Sequence, residues 1–179
     1  PDAAYRNNAD KSSQRGQAVF MAEPRQRGKV DTKGSLVDFE SQKIRKTVLS
    51  TTVAELYAFM KCFGTCQFLR GLWMDISATA AEIHMRTDAN NLATTAQSTH
   101  LPEQKETIHM IQMLRKEATS GSIEDLAHAR ADFCLGYCLT KQSAKSDALR
   151  KAVDAGTLSD VDMHPPFWSL LQRRAFMLE

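Results

Sequence analysis

The change of hydrophobic period at Ser50 constrains this chain more than any other feature. Before it lie two short runs, residues 17–22 and 35–40, with the apolar character of strands. After it, Val53, Leu56, Tyr57, Met60, Phe63, Phe68, Leu69 and Leu72 recur at three- and four-residue steps, the pattern of an amphipathic helix. Side chains alternate across a strand but return to one face of a helix every three or four residues, so one conformation cannot serve both stretches. The basic segment 23–29, with Pro24 and Gly28, breaks regularity between the two runs and reads as a long hairpin loop. Ser50, Thr51 and Thr52 are each able to cap the helix, because a hydroxyl accepts from the unpaired amides of a first turn. Gly64 and Gly71 each cost about 1 kcal/mol relative to Ala, so a bend or an early end is expected in its second half.

Downstream, residues 82–87 alternate and run into Asp88, which places an acid at the C-terminal edge of a strand. Helices are expected over 90–97, 104–118 and 135–153, a short strand over 123–127, and a terminal helix after Pro165-Pro166. A hairpin followed by alternating helices and strands predicts an α/β fold, a mixed sheet covered by helices. Such a sheet needs a central strand to join its halves, and only the extreme N-terminus is left to supply it. The expected division is a domain over residues 1–156 and a tail over 157–179.

The balance of 42% hydrophobic and 25% charged residues in 179 excludes a disordered chain and allows one core. Neither a run of eighteen apolar residues nor an apolar leader is present, so the chain reads as soluble and intracellular, cytoplasmic or nuclear, with no membrane partner. The four cysteines, Cys62 with Cys66 and Cys134 with Cys138, are expected as reduced thiols. Spaced four apart on helices, they would also allow a four-thiolate zinc site, a weaker expectation than buried free thiols. His100 and His128 are candidates for proton transfer, against the simpler expectation of loop histidines. A net charge of +2 does not by itself announce a nucleic-acid partner.

Three carboxylates stand out: Asp2, Glu55 one turn into the long helix, and Asp88. Acids gathered at one rim of a sheet suit Mg²⁺, a hard ion that prefers oxygen, and such ions stabilise the oxygens of phosphodiester hydrolysis. The competing structural expectation has Glu55 facing the helix dipole and Asp88 capping the next helix.

The string Leu49-Ser50-Thr51-Thr52-Val53-Ala54-Glu55-Leu56-Tyr57-Ala58 resembles the LSTTEAEY-type helix start in the ribonuclease H domain of copia-like retrotransposon polyproteins. Around it, in the family's order, Asp2-Ala3-Ala4-Tyr5 is similar to its SDAS-type first strand and Ser12-Ser13-Gln14-Arg15-Gly16 to its SxxG turn. Thr87-Asp88-Ala89-Asn90 is similar to its TDN-type strand end, and Leu135-Gly136-Tyr137-Cys138-Leu139-Thr140-Lys141 to its LADxLTK segment. The resemblance implies a ribonuclease H-like fold that cuts the RNA strand of an RNA–DNA hybrid with two divalent ions, Mg²⁺ or Mn²⁺. Asp2, Glu55 and Asp88 match the first three metal-binding, catalytic acids. The fourth falls on Tyr137, a neutral phenol and a poor Mg²⁺ ligand. Asp132, five residues earlier, is not expected to replace it.

The family would place apolar residues ahead of the first acid, so a truncated central strand is expected. That implies a piece of a Pol polyprotein with a reverse transcriptase region upstream, or a decayed copy, poorly stable alone because ladder groups lose partners. The basic residues Arg25, Arg27, Lys29 and Lys33 would follow the phosphate backbone of the hybrid. Two further readings compete with an active nuclease: a degenerate, non-catalytic remnant that keeps the fold and weak nucleic-acid binding, and a helical interaction protein with a zinc site.

Overall fold

The computed structural model describes residues 1–24, 31–97, 105–141 and 143–159. Strands β1 (Asp2–Ala4), β2 (Gln14–Ala22), β3 (Asp31–Lys43) and β6 (Thr157–Ser159) form an antiparallel sheet in the order β1-β2-β3-β6. Strands β4 (His84–Thr87) and β5 (Asp125–His128) pair in parallel as a second, two-stranded sheet. Helices α1 (Thr51–Ser77), α2 (Asn90–Gln97), α3 (Lys105–Thr119) and α4 (Asp147–Ala155) complete an α/β fold. No helix among the described residues is long and apolar enough to cross a membrane.

The β2–β3 hairpin carries one irregularity. Val19 faces Asp38 while Phe20 faces Leu36, so Val37 is an extra residue and the strand bulges there. Ser50 is the helix cap that the hydroxyl cluster foretold, its Oγ accepting from the Val53 N–H at 3.3 Å. Helix α1 ends at Ala78, which takes the left-handed conformation (φ 56°) and donates its N–H to Met74 O at 2.9 Å.

Contrary to the expected early end, α1 continues through Gly64 and Gly71 to Ser77. Its first half lies between two apolar clusters. Val53, Ala54 and Ala58 pack with Ala3, Ile44 and Val48 on one side. Leu56, Phe59, Cys62 and Phe63 pack with residues of β4, β5, α2 and α3 on the other, among them Met85, Leu92, Leu114 and Leu126. Phe59 and Phe63 are 0% and 1% exposed. Each such burial contributes roughly 1.5–3 kcal/mol, which outweighs the glycine penalty. In the second half Cys66 and Leu69 still pack against that cluster, while Phe68 and Ile76 stand 71% and 74% exposed.

Two expectations are corrected. The sheet is not one joined layer: β1 spans three residues and pairs with β2 alone, so the β4–β5 ladder stays separate. The helix expected over 135–153 forms only in its last part, as α4 from Asp147; ahead of it stand two 3₁₀ turns, Ala131–Phe133 before the expected range and Tyr137–Leu139 within it. Close packing is the cause. A Cβ on Gly16 would lie 2.8 Å from both Gly136 O and Leu139 Cβ, and one on Gly136 would lie 3.4 Å from Asp2 N. The glycine pair lets this segment press its backbone against β1 and β2, and a helix cylinder some 10 Å across could not approach so closely. Residues 157–159, at the start of the expected tail, form β6; the terminal helix expected beyond them lies outside the described residues.

Candidate metal centre

Three separate elements deliver the acids to one place. Asp2 opens β1, Glu55 lies in the first turns of α1, and Asp88 directly follows β4. One carboxylate oxygen from each lies within 4.8 Å of the others. Residues separated by 53 and 33 positions therefore meet where β1 and α1 begin and β4 ends. Beside them is a cleft of about 240 Å³ lined by Thr51, Thr52, Glu55, Asp88, Ala89, Asn90, Asn91 and Leu92.

Each acid is held differently. Asp2 is 1% exposed, and Thr140 Oγ1 donates to its Oδ2. Glu55 Oε2 accepts from the Ala3 N–H at 3.1 Å. Its carboxylate thus reaches across to β1 rather than serving its own helix end, and the structural expectation for Glu55 fails. Asp88 places its backbone carbonyl 3.0 Å from Asn90 N–H, while its carboxyl Oδ1 is sealed from solvent without a hydrogen-bond partner. Such an orphaned oxygen costs about 1–3 kcal/mol unless something binds it.

The electrostatics follow from crowding. Burial and then the neighbouring Asp88 charge raise Asp2 from 3.8 to about 7. Burial, then Asp2 and Asp88, raise Glu55 from 4.5 to about 8. Within a low-dielectric pocket like charges cannot all ionise unless a cation joins them. The donor set is all oxygen, which suits Mg²⁺ or Mn²⁺ rather than a softer ion. The Asp88 Oδ1 has no hydrogen-bond partner to satisfy it, so these residues fit a divalent cation.

Tyr137, which the resemblance sets where a fourth acid would be expected, lies under the Lys141 ammonium, whose Nζ is 3.7 Å from the ring centroid. Asp132 falls on the first 3₁₀ turn, and its side chain is outside the described residues. His128 Nε2 donates to the Asp88 backbone oxygen at 3.2 Å, bracing the loop rather than facing the carboxyls. His100 lies outside the described residues, as do Arg25, Arg27 and Lys29. Lys33 is exposed on β3 and pairs with Thr157, roughly 25 Å along the strand from Ser41, whose row holds Gly16 and Asp2. The structure therefore does not bring Lys33 to the acids.

The cysteines make no thiolate site: among the described residues the three acids are the only group gathered closely enough for a metal. All four thiols are free, with Cys62 and Cys134 buried. Burial pushes Cys134 up to about 12, and a hydrogen bond from Cys66 brings Cys62 down to about 7. Thr140, whose hydroxyl donates to Asp2, stands in the segment 135–141 but is not among the residues that the sequence marks out. Thr51 and Thr52 were read only as helix caps. No family model, curated protein or solved structure matches this chain.

Proposed function

We propose that this chain is a ribonuclease H-type domain of a copia-like retroelement, hydrolysing the RNA strand of an RNA–DNA hybrid with Mg²⁺ or Mn²⁺. The observation that carries it is the convergence of Asp2, Glu55 and Asp88 within 4.8 Å from three distant parts of the chain. The element order agrees with the same fold: a strand bearing an acid, an antiparallel hairpin, a long helix bearing the second, then a strand ending at the third. A ribonuclease H-like arrangement with a short first strand accounts for the separated β4–β5 ladder.

When bound, a divalent cation polarises the phosphate oxygens and stabilises charge as a water attacks phosphorus. The protein's own part is positional. Thr140 fixes the Asp2 carboxyl, the Ala3 amide fixes Glu55, and Asp88 completes the set from the sheet edge. The cleft lined by Thr51, Thr52, Asn90 and Asn91 offers hydroxyls and amides beside the acids, suited to a polar backbone bearing 2′-hydroxyls. The basic residues Arg25, Arg27, Lys29 and Lys33 would follow the phosphate backbone of the hybrid, and a reverse transcriptase region of the same polyprotein would lie upstream.

Tyr137 favours a second reading, a degenerate remnant that binds without cutting, because its ring is engaged by Lys141 and offers no carboxylate. The two are separated by incubating the chain with labelled RNA–DNA hybrid and Mg²⁺ or Mn²⁺, alongside Glu55→Gln and Asp88→Asn. Cleavage by the native chain that both substitutions abolish is expected. Equal background in all three would reject catalysis, and hybrid binding measured by fluorescence anisotropy would then support the remnant.

A further inference from the structure

We propose that a second copy of this chain docks on the outer face of the second half of α1, forming a two-fold dimer around an antiparallel pair of these helices. A helix turns about 100° per residue, so Lys61, Gly64, Phe68, Gly71, Leu72 and Asp75 share one face within an arc of about 100°. All six are exposed. Phe68 and Leu72, 71% and 46% exposed, stand one turn apart and form an apolar ridge, which Ile76 prolongs at 74%. By the same period this face lies opposite Phe59 and Phe63, which are buried in the core. A continuous apolar ridge in solvent marks an interaction surface, unlike single scattered apolar residues. The glycines are a second, independent observation. Each lowers helix propensity, yet a Cβ at Gly64 or Gly71 would meet no heavy atom within 4 Å, so packing inside the chain demands neither. Bare backbone beside the ridge leaves notches for side chains arriving from outside.

The order of residues along this face complements its own reversal. In a two-fold antiparallel pair centred on Phe68, positions equally far before and after Phe68 come level with each other in the two copies. Lys61 then stands level with Asp75 of the second copy, and Gly64 with its Leu72. Each match occurs twice. Opposite charges close both ends, the leucines enter levels where the glycines present no side chain, and the two Phe68 rings meet at the axis in reach of offset stacking. A parallel pair would set lysine beside lysine and aspartate beside aspartate, so charge selects the antiparallel arrangement. This self-complementarity is what makes a second copy the occupant. Glu55 stands about 20 Å along α1 from Phe68, so the contact lies apart from the acid cluster and is independent of the activity proposed for it.

The test is analytical ultracentrifugation of the full chain over roughly 1–100 μM, with circular dichroism as the check on folding. The native chain is expected to double its mass across that range. Phe68→Asp, at an exposed position, should keep the native dichroism and stay monomeric. Lys61→Asp should weaken association on the order of tenfold, and adding Asp75→Lys to it should restore the native affinity by exchanging the charges. Gly64→Leu has open space within one chain and a better helix former, so it should keep the helical signal while weakening association on the order of tenfold. A native chain that remains monomeric would overturn the proposal and leave the ridge to a different protein. Association that survives Phe68→Asp would place the contact elsewhere, and a charge exchange that restores nothing would refute the antiparallel register.

Discussion

Removing one charge from the acid cluster should make the cation-free protein more stable. With its carboxyl raised from 4.5 to about 8, folded Glu55 keeps a proton at pH 7 that the unfolded chain has released. The unfolded state binds fewer protons, so stability falls as pH rises from 4.5 to 8. At about 1.4 kcal/mol per pH unit, the interval up to pH 7 amounts to about 3 kcal/mol, which solvent at this partly exposed carboxyl reduces to roughly 1–3 kcal/mol. Glu55→Gln removes that penalty yet leaves an amide oxygen to accept from the Ala3 N–H. It also relieves Asp2, whose elevation comes from burial first and neighbouring charge second.

In a chain of this size, 1–3 kcal/mol corresponds to a melting temperature higher by about 2–10 °C. The assay is thermal unfolding by circular dichroism in chelator at pH 8 and again at pH 5, where native Glu55 is already protonated and the gap should narrow. Adding Mn²⁺ to one hundred times its dissociation constant should then raise native stability by about 2.7 kcal/mol, and that of the variant by much less. A variant no more stable than the native chain at pH 8, or a gap independent of pH, would refute the idea of crowded carboxylates.

Three more outcomes follow from the packing. Thr140→Val deprives buried Asp2 of its donor and should cost about 1–3 kcal/mol in urea unfolding, with Thr140→Ser restoring most of it; no loss would mean that the hydroxyl does not hold Asp2. His84 is raised above 6.5, by its Asp125 hydrogen bond first, so its contribution is present below pH 6.5 and lost as pH rises through the higher folded value. Burial alone would raise Asp125, but His84 and Arg86 hold it below 3.8, so that share persists above pH 3.8 and vanishes as pH falls further. His84→Gln should therefore destabilise more at pH 5.5 than at pH 9, and a constant difference in urea midpoint would contradict the pairing. Ala78→Gly relieves a left-handed alanine at the end of α1 and should stabilise by about 0.5–1 kcal/mol, whereas a loss would show that the alanine is unstrained.

Local pattern made the long helix, the hairpin and the strand ending at Asp88 legible, because strand and helix periods are properties of neighbouring residues. It also exposed Ser50 as a cap. The 3₁₀ turn over Tyr137–Leu139 was illegible: residues 135–153 have helical composition, and only the close approach of Gly136 to Gly16 and Asp2 reveals why the α-helix is delayed to Asp147. Strand β6 was missed because three residues carry no period.

For the site, the sequence singled out Asp2, Glu55 and Asp88 as the acids to watch, while the absence of a fourth at Tyr137 was an expectation drawn from the resemblance. Tertiary structure decided that Asp2, Glu55 and Asp88 meet, that Thr140 holds one of them, and that Lys33 lies far along β3 from them. The physical reason is range. Propensity and periodicity act over a few bonds, whereas the distance between two carboxylates depends on how a helix and two sheets pack around a shared core.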